Sequence, residues 1–329
     1  MRPPDFWSEP ASLAAKLLTP FGCLFAATGR LRRLTTVPQR ARIPVICVGN
    51  LVAGGAGKTP VAMALAVRLA SRPGAGPIHI LTRGYGGSEG GPLRVDLARH
   101  DASQVGDEAL LLAAVAPVWV SRDRVAGAHA ARKAGAACLI LDDGFQNPAL
   151  HKDLSFLVID GGFGFGNGRV IPAGPLREPI GDGLARAAAV VLIGEDRHGI
   201  AAQLSNQLVL RAKLVPTAAS AAALAGRRVF AFAGIGRPEK LFDSLGELGC
   251  DIAGRREFAD HHPFTRGEID DLLATAARLN ALPVTTAKDA VRLPPELRAT
   301  IAVLDVTLAW DDATALDKLL AEHLTKTTS

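Results

Sequence analysis

The run 45–60, Val-Ile-Cys-Val-Gly-Asn-Leu-Val-Ala-Gly-Gly-Ala-Gly-Lys-Thr-Pro, constrains the fold of this 329-residue chain more than any other part of it. A short β-branched stretch enters a glycine-rich turn, and Gly-Lys-Thr then opens an apolar, helical segment from Thr59 to about Ser71. Strand, glycine turn and helix in that order make a phosphate-binding loop. Gly54, Gly55, Ala56 and Gly57 let backbone N–H groups curl round phosphate oxygens, and the helix N-terminus adds the positive end of its dipole. Lys58 is then placed to reach β- and γ-phosphates, and the Thr59 hydroxyl to ligate Mg²⁺. Pro60 fits, because a first-turn N–H has no partner in the helix ladder. The usual spacing has glycine at position 52, where this chain has Val52. A nucleoside triphosphate is the ligand these residues predict.

Short apolar runs at 43–48, 77–82, 117–121, 138–141, 155–160 and 189–193 alternate with helical stretches at 59–71, 107–115 and 123–134. That pattern predicts an α/β fold, a P-loop-type parallel sheet with helices on both faces. Hydrophobic residues make up 48% of the chain and aromatics only 5%, which suits such a core. The expected organisation is a nucleotide-binding domain over 43–207 and a smaller α/β domain over 217–300. Alternating segments 208–216 and 301–310 would form a two-stranded linker, and 311–329 a C-terminal helix returning to the first domain.

Polar clusters follow the strands, where ligands bind in open parallel sheets. Arg83 to Gly87 follows the second run. Asp142 and Asp143 end the fourth and occupy the place of a Walker B carboxylate, suited to holding Mg²⁺. Asp107 and Glu108 open a helix; acidic residues there can simply complement the dipole, or one can accept a proton while the other helps hold the metal. Asp260-His261-His262 could supply an oriented base, though neighbours in sequence fix no geometry. Lys288-Asp289 lacks the intervening residue of a guanine-selecting motif, so GTP is not indicated.

The net charge of +5 lies entirely within residues 1–42, and the remainder is neutral. A nucleic-acid binder would spread its charge, so none is expected as a partner. The same segment is rich in Trp, Phe and Leu before Arg30-Leu31-Arg32-Arg33. It is too interrupted to span a bilayer, and it suits a pair of helices lying on an anionic membrane surface. Cys23, Cys47, Cys138 and Cys250 are widely spaced, which favours a reduced setting and no structural metal.

The chain resembles the tetraacyldisaccharide 4'-kinases, the lipid A 4'-kinases of Gram-negative bacteria. The resemblance rests on Gly49-Asn50-Leu51 with 54–60, Arg83-Gly84-Tyr85-Gly86, Val105-Gly106-Asp107-Glu108, Leu141-Asp142-Asp143-Gly144-Phe145-Gln146, Gly174-Pro175-Leu176-Arg177-Glu178 and Phe258-Ala259-Asp260-His261-His262. It runs from Phe6-Trp7 to Lys288-Asp289-Ala290-Val291. It implies transfer of the ATP γ-phosphate to the 4'-hydroxyl of a tetraacyldisaccharide 1-phosphate, forming lipid IVA at the cytoplasmic face of the inner membrane, with no obligate protein partner evident. It implies Asp107 as base with His261, and Lys58 on the phosphates. Metal ligation falls to Thr59, Glu108 and Asp142, and the nucleotide site includes Asp143. Asn50, Arg83, Tyr85, Arg177 and Glu178 match cleft positions that meet the lipid. Val52 and Ala56 replace hydroxyl residues frequent in the family. The alternative from another class is a membrane-targeted ATPase switch of the ParA/MinD kind, whose signature lysine is here Ala53.

Overall fold

The structure, a computed structural model, describes residues 4–9 and 11–324. In chain order its strands are β1 (Val45–Gly49), β2 (Ile78–Thr82), β3 (Leu93–Arg94), β4 (Val118–Val120), β5 (Cys138–Asp142), β6 (Leu154–Asp160), β7 (Ala189–Ile193), β8 (Val209–Pro216), β9 (Arg228–Ala233), β10 (Asp251–Glu257), β11 (Leu282–Thr286), β12 (Ala302–Leu304) and β13 (Val306–Trp310). They form a nine-stranded sheet, β13-β8-β7-β6-β1-β5-β2-β4-β3, and a four-stranded sheet, β10-β9-β11-β12. The small sheet is wholly parallel, and the large one is antiparallel only at its outer pairs, β13–β8 and β3–β4. The central strands β1, β2, β5, β6 and β7 are buried along their whole length, as strands covered on both faces must be.

Strand β1 lies between β6 and β5, so the chain leaves it at the point where strand order reverses. The helix Lys58–Ala70 follows and buries Val61, Leu65 and Leu69 against one face of the large sheet. Leu316 and Leu320 of the C-terminal helix Thr314–Leu324 join that core, and Arg68 clamps Asp317 with two hydrogen bonds, the Nε–Oδ1 one at 2.7 Å. Expected helix residues 325–329 lie outside the described residues, as do 1–3 and Pro10 of the N-terminal segment.

Two expectations change in detail. The alternating segment 301–310 is two strands: β12 completes the small sheet, and after Asp305 β13 pairs antiparallel with β8, Val306 opposite Pro216. The two-stranded connection is thereby continuous with the large sheet, because β8 also pairs with β7. At the N-terminus a short 3-10 turn, Asp5–Trp7, precedes one long α-helix, Leu13–Thr35, which runs through Pro20 where a pair of helices was expected. An interior proline removes one ladder bond. Here docking compensates: Ala15 and Gly22 are buried, with Gly22 packed onto the Val170 carbonyl, and Arg33 pairs with Glu178 and Asp182. Its opposite side leaves Leu13, Leu17, Phe21, Leu24, Leu31 and Leu34 exposed. No helix among the described residues is long and apolar enough to cross a membrane.

Candidate active site

The phosphate loop is held open by its surroundings. Gly57 stands at φ +86°, a left-handed conformation costly for any side chain, and begins the helix with Lys58 behind it. Val52, where glycine was expected, is buried and forms a β-bridge with Leu176. Hydrogen bonds from Ala53 N to Pro175 O (2.7 Å) and from Arg177 N to Leu51 O (2.6 Å) complete this small ladder. A strand-forming valine therefore serves here where other loops turn. The same ladder fixes Arg177, whose Nη1 donates to Asp143 Oδ1 at 2.9 Å. Asn50, buried, donates to the Val52 carbonyl at 2.8 Å and so braces the loop from within.

Register sets the carboxylates. Asp142 at the end of β5 lies opposite Val48 of β1, which brings it beside the loop. Both its oxygens are buried with no hydrogen-bond donor among the described residues. Burial, reinforced by repulsion from Glu108 and opposed by Lys58, pushes its carboxyl up to about 8. Asp143, at φ +51°, has left-handed backbone and turns toward Lys58, whose Nζ stands 3.8 Å from its Oδ1. Burial would raise its pKa, but Lys58 and Arg177 hold it below the usual carboxylate range. Arg124, buried at the start of the helix Arg124–Lys133, faces both aspartates; sequence reading missed it, since an isolated arginine after a strand carries no pattern.

Glycine geometry also aims Asp107. Gly106 has φ +84° and ψ 149°, and a Cβ there would come within 2.4 Å of the Tyr85 carbonyl. The Arg83–Gly87 turn thus packs backbone against backbone on the entry to the helix Asp107–Ala113. Asp107 is only 3% exposed. Across the gap between the two sheets, His261 Nδ1 lies 3.0 Å from its Oδ2, with Arg292 Nε at 3.5 Å and Lys288 Nζ at 4.0 Å. That oxygen has cations around it but no formed hydrogen bond among the described residues. Burial pushes the Asp107 carboxyl up; His261, Lys288 and Arg292 outweigh it and hold the pKa low. Lys288 also reaches Glu108 (3.6 Å) and His261 Nε2 (3.2 Å). His261 itself sits at φ +58°, a strained conformation of the kind found at functional sites. The ring of the exposed Tyr85 meets it edge-on at 5.5 Å.

The structure thus brings Lys58, Thr59, Asp107, Glu108, Asp142, Asp143, Arg177, Tyr85 and His261 to one crevice, with Arg83 exposed at its edge. Glu178 differs from expectation. It is 1% exposed, its Oε1 accepts from Gln146 at 3.1 Å, and its Oε2 is taken by Arg33 (3.1 Å) and Arg186. It anchors the N-terminal helix to the Arg177 loop, so it and Asn50 hold the crevice wall from behind. Arg237, Lys240 and Arg292 were not legible as site residues, because each is a single cation whose place depends on how the small sheet docks.

The residues present fit a magnesium-bound nucleotide. Asp142 is a buried carboxylate with no hydrogen-bond donor to either oxygen among the described residues, Glu108 and Lys58 are its charged neighbours, and Thr59 follows Lys58 at the start of the helix. Among the described residues no group of three His, Cys, Asp or Glu side chains is disposed as a metal site. One or two carboxylates, with phosphate oxygens completing the shell, is the usual way Mg²⁺ is held.

A profile of the family described as tetraacyldisaccharide-1-P 4'-kinase (LpxK) matches residues 14–325. Relatives bearing the name tetraacyldisaccharide 4'-kinase include one from Rhodospirillum centenum, 59% identical and covering 98% of this chain and 97% of its own. Another, from Gluconacetobacter diazotrophicus, is 54% identical over the full length of both chains. Among solved structures, LpxK from Aquifex aeolicus, crystallised in complex with ATP, superposes with a TM-score of 0.75 at 26% identity, covering 94% of this chain and 99% of that one.

Proposed function

This chain belongs to the tetraacyldisaccharide-1-P 4'-kinase family, and from that premise we propose how its crevice performs the reaction. The enzyme transfers the γ-phosphoryl group of ATP to the 4'-hydroxyl of a tetraacyldisaccharide 1-phosphate, in lipid A biosynthesis. The membrane-targeted ATPase switch finds no support, since the matches over the whole chain are to the kinase. What supports the assignment of roles is the 3.0 Å approach of His261 to Asp107 across the two sheets, beside the phosphate loop.

The acceptor oxygen forms a bond to the γ-phosphorus while the bond to the β–γ bridging oxygen breaks. The electron pair goes to ADP, and the hydroxyl proton to Asp107 Oδ2, the oxygen with no formed hydrogen bond among the described residues. Asp107 stays ionised because of its cationic neighbours, so it orients the hydroxyl and accepts its proton late. That suffices for a loose transition state in which base strength matters little. His261 holds the aspartate in line and balances its charge. Lys58 and the loop amides neutralise the phosphates. Thr59, Asp142 and Glu108 would hold Mg²⁺, which supplies further charge neutralisation at the β- and γ-oxygens. Arg83, Tyr85 and Arg177 face the disaccharide, with Asn50 and Glu178 positioning the loops that carry them.

The exposed stripe on the N-terminal helix, flanked by Lys16, Arg30 and Arg32, supports docking on the anionic cytoplasmic face of the inner membrane, where an acylated acceptor resides. The kinase reading is tested by transfer of label from γ-labelled ATP to tetraacyldisaccharide 1-phosphate in detergent micelles. Native protein should label the lipid, and Lys58→Ala and Asp107→Ala should each lose 10²-fold or more, roughly what a positioned base or charge clamp supplies. ATP hydrolysis without labelled lipid would refute the assignment.

A further inference from the structure

Two cations from the small sheet's side meet beside the phosphate loop, and one of them reaches the loop itself. Arg237 follows β9 and Gly236, and its Nη2 donates to the carbonyl of Gly55, in the middle of the loop, at 3.2 Å. Its Nη1 donates to Asp160 Oδ1 at 3.0 Å, its Nη2 also bonds Asp160 Oδ2, and Lys240 binds that same Oδ2. Asp160 ends β6, the strand next to β1, and is buried. Gly54 and Gly55 are exposed and carry no side chain, and a Cβ placed at either would meet nothing within 4 Å among the described residues.

We propose that Arg237 is a catalytic residue, an arginine finger carried within the same chain, parked on Asp160 until ATP fills the loop. Asp160 is too buried to lose both partners cheaply. Lys240 solves that problem: it stays on Oδ2 while Arg237 moves to the phosphates, so the carboxylate is never left unpaired. The planar guanidinium offers the paired donors that phosphate oxygens accept. At the β–γ bridge it neutralises the negative charge gathering on the bridging oxygen as that atom takes the electron pair from the breaking P–O bond. A small-domain origin would also make transfer depend on closure, suppressing phosphoryl loss to water while the crevice is open.

The proposal rests on the ATP-dependent reading, and its test separates the two. Binding of Mg-AMP-PNP and Mg-ADP is measured by calorimetry for the native chain, Arg237→Ala, Arg237→Lys and Asp160→Asn, and kcat and KM with the lipid acceptor beside it. Arg237→Ala should weaken AMP-PNP about tenfold with ADP little changed, the loss of a charged hydrogen bond to the γ-phosphate. It should lower kcat roughly 10³-fold with the lipid KM retained. Arg237→Lys should restore part of both. Asp160→Asn should keep the full AMP-PNP affinity, since it frees the finger rather than removing it. If Arg237→Ala binds both nucleotides as the native chain does, or if Asp160→Asn loses AMP-PNP equally, the pair is only an interdomain clasp and the proposal falls. Arg237-dependent binding of AMP-PNP with no labelled lipid would leave the finger standing and remove the acceptor.

Discussion

Asp142 shows how much a single buried carboxylate can report. In nucleotide-free protein it keeps its proton up to about pH 8, whereas the unfolded chain releases one near 3.8. Between those values the folded state binds the extra proton, so stability falls as pH rises through the window. Asp142→Asn has no proton to lose. In EDTA-treated protein it should raise the melting temperature at pH 8, by about 2–4 °C for each ~1 kcal/mol of penalty removed, and the gain should vanish near pH 4. An equal gain at both pH values would place the effect in packing and not in charge. At this scale the phosphate loop and Asp142-Asp143 were legible because their chemistry is written in adjacent residues. The pairing of Asp107 with His261 came only through the family resemblance, and its contacts with Lys288 and Arg292 were not legible at all, since they exist only where two sheets meet. Glu178, which the resemblance set among cleft positions meeting the lipid, is instead buried and held by Arg33 of a distant helix, a contact that its sequence neighbours do not announce.

Elements follow the same logic. Strand positions were readable because buried parallel strands are continuous apolar runs, and β7 begins and ends at the residues expected. The break of 301–310 at Asp305 was hidden, because alternation continues across it while the strand changes sheets. The N-terminal segment was read as a pair of helices, and only the docking of Gly22 against Val170 reveals how one helix persists through Pro20. Its exposed stripe makes a prediction of its own. Phe21→Glu with Leu24→Glu should reduce co-sedimentation with phosphatidylglycerol-containing vesicles about tenfold or more for each apolar side chain withheld from the bilayer. Calorimetric ATP affinity should be unchanged, because both side chains point away from the core. Unaltered vesicle binding would assign the stripe another partner.

The whole molecule is a large sheet with a second sheet joined to it where β8 ends and β13 begins. Thr217 N donates to the Asp305 carbonyl at 2.9 Å, and Ser220 Oγ binds both the Val303 carbonyl and Asp305 N. Because β8 is sewn to β7, these bonds tie the root of the small sheet to the main ladder. Topology of this kind was only partly legible: the pairing of the two connecting strands could be read from their alternation, but not their fusion to the main sheet, which depends on which edge they meet. The chain enters and leaves the small unit at neighbouring points, Pro216 and Val306 being register partners. Residues 217–305 are thus an insertion in a hairpin, and joining its ends with an Asn-Gly turn should yield a shorter protein with the large sheet entire. That protein should still bind Mg-ADP by calorimetry yet transfer no phosphate, having lost His261, Lys288 and Arg292. Loss of ADP binding as well would mean that the two sheets fold as one unit. The hydrogen-bond ladder of the large sheet thus passes the small unit by, so the catalytic side chains it carries hang from a single turn like a lid from its hinge pin.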